Sequence, residues 1–318
     1  MYRIFFIFSL AALTALKALP LSADNKLLSV VATTSMIADA ARNVGGSHVV
    51  VQSLMGPGID PHSYRHTRND IVAMTKSDLT LYHGLGLEAQ MESFFKDLSS
   101  KRPVGAVTHN INPQKLLEYP GKTDRFDPHI WMNPVLWSLI IDRTESALSK
   151  VRSDKKVIFE RNAAEYHDQL VQLDTFAKSV LSTVPQKSRV LVTAHDAFGY
   201  FGRAYGFEVI GVQGISTNSE AGLYRIKEIV DILVDREISA VFVESSVSDR
   251  NMRALIEGAA AQGHTVRLGG ELYSDAMGQE GTYEGTYIGM LDHNITTISK
   301  ALGGTPPKRG WQGKLRAD

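Results

Sequence analysis

The sequence predicts an α/β protein of two similar lobes, each built on four mainly parallel strands, with one long backbone helix joining them. Three observations carry this expectation. Apolar, β-branched runs recur in two series of four, polar or helix-patterned stretches separate the runs within each series, and an unbroken amphipathic segment lies between the series. The chain has 318 residues, enough for one large or two ordinary domains, and its 43% hydrophobic and 21% charged residues are those of a globular protein.

Taken in order, residues 1–23 read as a secretory signal. Arg3 precedes an apolar run at 4–13, and the small residues Ser22 and Ala23 stand before Asp24, which marks cleavage near Ala23. The run is too short to span a bilayer. The expected location is therefore the periplasm. The first lobe, 24–153, has its strand-like runs at 27–34, 49–55, 79–84 and 104–108. From 154 to 184 there is neither Gly nor Pro, and Phe159, Ala163, Tyr166, Leu170, Leu173, Ala177 and Val180 recur at steps of four and three on one face. Ser153 is the expected N-cap and Pro185 the stop. About 28 residues at 1.5 Å each make a rod of ~40 Å, so 154–185 is expected to link the lobes rigidly. The second lobe, 186–302, has its runs at 189–195, 208–214, 240–246 and 264–270, with helical patterns at 224–237 and 249–262. The Gly- and Pro-rich tail, 303–318, carries no periodicity and is expected to be flexible.

Composition excludes several functions. Lys plus Arg and Asp plus Glu are both 34, and without Arg3 and Lys17 the balance is 32 basic against 34 acidic, so no basic excess exists to neutralise nucleic acid. Cysteine is absent, which removes thiolate catalysis, disulfides, Cys-type zinc sites and attachment of lipid to an N-terminal Cys.

A Cys-free exported chain holds a transition metal with imidazole and oxygen, and ten histidines are present. Four segments combine His or Asp with strand-exit and turn signals, at 56–64, 126–134, 191–199 and 269–278, where ligands collect in open α/β sheets. Asp-Pro-His occurs at both 60–62 and 127–129. Proline stiffens each turn, and the nearby Asp can accept the second imidazole N–H and fix the ring. His66, four residues after His62, lies beside Arg65 and Arg68, whose charge opposes a cation, and reads as solvated. Trp131 and Trp137 read as packing aromatics, and His109, His167, His264 and His293 as surface or locally bonded residues. Gly56, Gly58, Gly269 and Gly270 read as tight turns near the site.

Six segments carry a family resemblance: 55–62, 82–88, 127–132, 193–201, 211–216 and 269–275. Together they resemble the periplasmic metal-binding proteins of ABC importers, the cluster A-I solute-binding family of ZnuA and TroA type, over residues 28–302. The resemblance implies two (β/α)4 lobes joined by one long helix, with the metal in the cleft between them. It places the ligands on His62, His129, His195 and Asp275, with His83 where the family usually has Asn. It implies a permease and an ATPase as partners, and manganese or zinc as cargo. Three imidazoles and a carboxylate suit tetrahedral zinc, and a bidentate Asp275 raises the coordination to five, which holds either ion. The long His- and acid-rich loop of zinc scavengers is missing after Glu118, which favours manganese.

The expected protein is thus a monomeric solute-binding protein and not an enzyme. The alternative is an exported zinc hydrolase using the same ligands, with Glu271 or Glu244 as base, although both read more simply as hydrogen-bond acceptors or caps. Because the linking helix resists bending, metal exchange is expected through the loops around His129, His195 and Asp275, with little lobe closure.

Overall fold

Strands form where the sequence runs apolar and β-branched, and the turns that follow them carry the chemistry. In the computed structural model, which describes residues 26–316, the first sheet contains β1 (Leu28–Ala32), β2 (Val49–Ser53), β3 (Leu79–Tyr82) and β4 (Val104–Ala106) in the order β2-β1-β3-β4. The second contains β5 (Val190–His195), β6 (Glu208–Gln213), β7 (Ala240–Glu244) and β8 (Arg267–Leu272) in the order β6-β5-β7-β8. All these pairings are parallel. The signal-like residues 1–23 lie outside the described residues, among which no helix is long and apolar enough to cross a membrane.

Helices α1 (Ser35–Gly45), α2 (Arg68–Lys76) and α3 (Glu92–Ser99) serve the first sheet, and α4 (Pro134–Val151) closes that lobe. Asn133 caps α4 through hydrogen bonds from Val135 and Leu136, with Pro134 where a missing N–H costs nothing. Helices α6 (Gly199–Tyr205), α7 (Leu223–Asp235), α8 (Arg250–Ala261) and α9 (Tyr287–Ala301) serve the second sheet.

Between the lobes runs α5 (Lys156–Leu181), 26 residues and ~39 Å long. All seven residues of the predicted face are buried. Its start differs from expectation. Ser153 opens a single 3-10 turn, Ser153–Lys155, and α5 begins beyond it with no side-chain cap, while Arg152 pairs with Asp154 at 2.9 Å across the turn. Polar contacts tie α5 to both sides. Tyr166 donates to Asp39 of α1 at 2.8 Å, and Asp174 accepts from Tyr205 of α6 at 3.1 Å.

The tail expected to be flexible is instead packed as far as Arg316. The Asp292 carboxylate accepts the Trp311 N–H at 2.9 Å, Trp311 stacks on Phe176 of α5, and Leu315 is buried. Periodicity could not reveal this, because the anchor is one carboxylate on α9 rather than a repeating face.

One apolar core spans both lobes, including Leu28 and Ile37 of the first, Leu170 and Leu173 of α5, and Leu191, Leu272 and Ile298 of the second, beside a smaller cluster within each lobe. A shared core should melt as one unit. Calorimetry of the metal-free chain is expected to show one transition, which Leu173→Ala lowers as a whole at a cost of about 2–5 kcal/mol. Two resolved transitions, only one of them moved by Leu173→Ala, would contradict the shared core.

Candidate metal centre

The four sequence-chosen residues arrive from four different segments. His62 follows β2 in the turn begun by Gly56-Pro57-Gly58. His129 precedes α4, His195 is the last residue of β5, and Asp275 follows β8. All four are buried, and one ligand atom from each lies within 4.8 Å of the others.

Neighbouring carboxylates aim two of the rings. Asp127 Oδ1 accepts both the backbone N–H of His129 at 2.9 Å and its Nδ1–H at 2.7 Å. Glu244, the last residue of β7, does the same for His195, accepting the backbone N–H on Oε1 at 2.9 Å and Nδ1–H on Oε2 at 2.5 Å. Strands β5 and β7 are adjacent where the strand order reverses, the crevice in which such sheets bind ligands. With Nδ1 occupied, each Nε2 faces the centre and offers its lone pair there once its proton is displaced. Trp131 stands edge-on to His129 and donates its indole N–H to the Ser274 carbonyl at 2.7 Å, so the first lobe braces the residue before Asp275.

The spacing suits a metal. His195 Nε2 lies 3.1 Å and His62 Nε2 3.8 Å from Asp275 Oδ2, His129 Nε2 lies 3.4 Å from Oδ1, and the Nε2 atoms of His62 and His129 are 3.2 Å apart. A tetrahedral ion with bonds near 2.0 Å needs ligand atoms about 3.3 Å apart. Moreover, His195 Nε2 and both Asp275 oxygens are buried and face only the other members of the cluster, with no hydrogen-bond partner outside it. Such groups cost about 1–3 kcal/mol each unless something pairs with them.

Electrostatics agree. Burial opposes the charge on Asp275, yet His195, His129 and His62 around it hold its carboxyl well below the usual range. Burial also opposes charge on His129, but Asp127 and Asp275 outweigh it and raise the ring to about 9. His195 is raised in the same way by Asp275 and Glu244. His62 goes the other way, pushed down to about 4 by burial.

Several expectations need correction. Asp60 takes the backbone N–H of His62 at 2.8 Å and not its ring, so the two Asp-Pro-His turns are unequal. His66 stacks on Phe94 and is only partly exposed. Glu271 sits exposed on the edge strand β8, away from the cluster. Gly269 and Gly270 lie within β8 and make room for Phe242 and Thr297, whereas Gly58, with φ +71°, does form a turn beside the site. His83 stands outside the cluster: it is buried, bonds the Pro128 carbonyl at 2.7 Å, and so supports the turn that carries His129. Tyr287 escaped the sequence reading, since an aromatic at helical spacing looks like core; its hydroxyl holds the Trp131 carbonyl at 2.7 Å.

Known proteins are similar to this chain in sequence and fold. The family described as "Zinc-uptake complex component A periplasmic" matches residues 30–301. The manganese-binding lipoprotein MntA of Bacillus subtilis is 50% identical over 281 residues, covering 88% of this chain and 91% of that protein. The zinc-binding protein TroA of Treponema pallidum is 45% identical over 281 residues, covering 88% and 90%. The solved structure of the periplasmic zinc-binding protein TroA from Treponema pallidum superposes with a TM-score of 0.85 at 44% identity, covering 87% of this chain and 99% of that one.

Their carboxylate neighbours favour the protonated form of His129 and His195 when no metal is bound, and an ion must displace the protons they hold. Titration calorimetry with zinc at pH 7, in buffers of different ionisation enthalpy, should therefore report a net release of protons on binding. Binding enthalpies that do not vary with buffer would contradict protonated rings.

Proposed function

The chain belongs to the zinc-uptake component A (ZnuA) family, and from that premise we propose that it captures a divalent transition metal, manganese or zinc, on His62, His129, His195 and Asp275, and delivers it to the permease of an ABC importer. The observation that carries this reading is the convergence of three imidazoles and a carboxylate, all buried, with three of the ligand atoms lacking any other partner. Pairing with an ion removes the cost of those orphaned atoms, so the cluster gains most from a cation that sheds its water.

The family consists of transport components, not enzymes. The donor set fits capture without turnover. A hydrolase needs an open metal position and a free base, whereas here four protein ligands converge and Glu244 is engaged with His195.

Manganese and zinc both fit. One relative is named for manganese and another for zinc, and the cluster satisfies a four-coordinate ion or, with Asp275 bidentate, a five-coordinate one. The family is periplasmic, so the chain acts beyond the cytoplasmic membrane, with a permease and its ATPase as partners. The Bacillus subtilis relative is a lipoprotein, but this chain has no cysteine to carry a lipid and works as a free monomer in the periplasm, its lobes at 24–153 and 186–302.

One ion per chain is expected. Native mass spectrometry of protein purified from the periplasm identifies the cargo, and titration of the stripped protein should saturate at one equivalent. A variant carrying both His62→Ala and His195→Ala should lose binding. Metal should raise the melting temperature, by the equivalent of about 2.7 kcal/mol at a hundredfold excess over Kd, and by less at pH 5, where protons compete for the rings. An equal rise at both pH values, or full binding by the double variant, overturns the assignment.

A further inference from the structure

Of the three imidazoles, His62 is held least directly. His129 and His195 each have a carboxylate on Nδ1, at 2.7 and 2.5 Å, and among the described residues His62 has none. It is also the most exposed of the four, at 4% against 2% for Asp275 and 0% for the other two.

Its position is set through its own peptide groups, one held by Asp60 of the same turn and the other by a residue of the opposite lobe. The His62 N–H goes to Asp60 Oδ1 at 2.8 Å, and Asp60 Oδ2 accepts from Ser63 Oγ at 2.9 Å and from Thr217 Oγ1 at 2.6 Å. The His62 carbonyl accepts from Asn218 Nδ2 at 3.1 Å. Thr217 and Asn218 lie in the connection from β6 to α7, so the second lobe fastens a turn that belongs to the first. Gly58 permits the approach, since a Cβ there would stand 3.3 Å from the Ser245 carbonyl oxygen. A cavity of about 180 Å³, lined by Asp60, Gln213, Thr217 and Glu220 among others, lies beside these bonds.

We infer that Thr217 and Asn218 are positioning residues that latch His62 onto the metal and set the rate at which the ion leaves. The inference rests on the ligand assignment proposed above. While both bonds hold, the N–H and C=O of His62 are pinned and its Nε2 stays on the ion. When they break, the 56–63 turn loses its hydrogen bonds to the second lobe, and no carboxylate on Nδ1 holds the ring back. Exchange therefore begins at His62, and not at the loops around His129, His195 and Asp275, whose rings and carboxylate are enclosed by Asp127, Glu244 and Trp131.

The test uses the full chain loaded with zinc and mixed rapidly with excess chelator. Thr217→Val keeps the shape of the side chain and removes the hydroxyl, and Asn218→Ala removes the amide. Each is expected to speed zinc release about tenfold, the scale on which groups supporting a ligand act, and together by more. Thr217→Ser, which keeps the hydroxyl, should restore the slow rate. X-ray absorption of the bound zinc should show the same three nitrogens and carboxylate in every variant, and Ser248→Ala, in the same cavity wall but off the latch, should leave release unchanged. Release within twofold of the unaltered chain in the double variant overturns the latch, as does acceleration that Thr217→Ser fails to reverse. A chain that takes up no zinc at all, or takes it up undiminished after His62→Ala with His195→Ala, defeats the ligand assignment instead.

Discussion

The buried carboxylate of Asp275, within 3.1 to 3.8 Å of three imidazole nitrogens, is the contact on which the rest of the structure depends. A charge removed from water is tolerated only among opposite charges or around a cation. Here His129 and His195 supply the charge when they hold protons, and a metal supplies it when they do not. The site is therefore stable only if side chains from two separate sheets converge to within a fraction of an ångström, and much of the surrounding packing serves that convergence.

The frame achieves this with stiffness rather than with hinges. Helix α5 has no Gly or Pro, and its buried face shares one core with both sheets. Polar bonds from Tyr166 to Asp39 and from Tyr205 to Asp174 tie it to each lobe. Bending such a rod would break backbone hydrogen bonds along its length. Metal exchange is consequently a matter of which local segment loosens first, and the bonding around the four ligands is unequal in a way that answers it. His129 and His195 are pinned through their rings, while His62 is pinned only through its peptide groups.

The two Asp-Pro-His turns illustrate how the same three residues serve different ends. At 127–129 the turn folds tightly enough for Asp127 to reach both the backbone and the ring of His129. At 60–62 the carboxylate stops at the backbone and spends its second oxygen on Ser63 and on Thr217 across the cleft. Proline restricts the backbone in both. What differs is the neighbour each Asp finds, and the neighbour belongs to another part of the chain.

By itself the sequence determined the alternation of strands and helices, the long Gly- and Pro-free helix with its buried face from Phe159 to Val180, and the identity of His62, His129, His195 and Asp275 as ligand candidates. These are local properties: periodicity, breakers and short motifs act over a few residues, so they can be read along the chain. Only the tertiary structure decided that Glu244 aims His195, that Trp131 reaches Ser274, that Thr217 and Asn218 hold the His62 turn, and that the tail is anchored on Asp292. Each of those rests on one or two hydrogen bonds between residues 19 to 157 positions apart. Such a bond leaves no periodic trace, because its partners meet only when two independently folded segments are packed against each other.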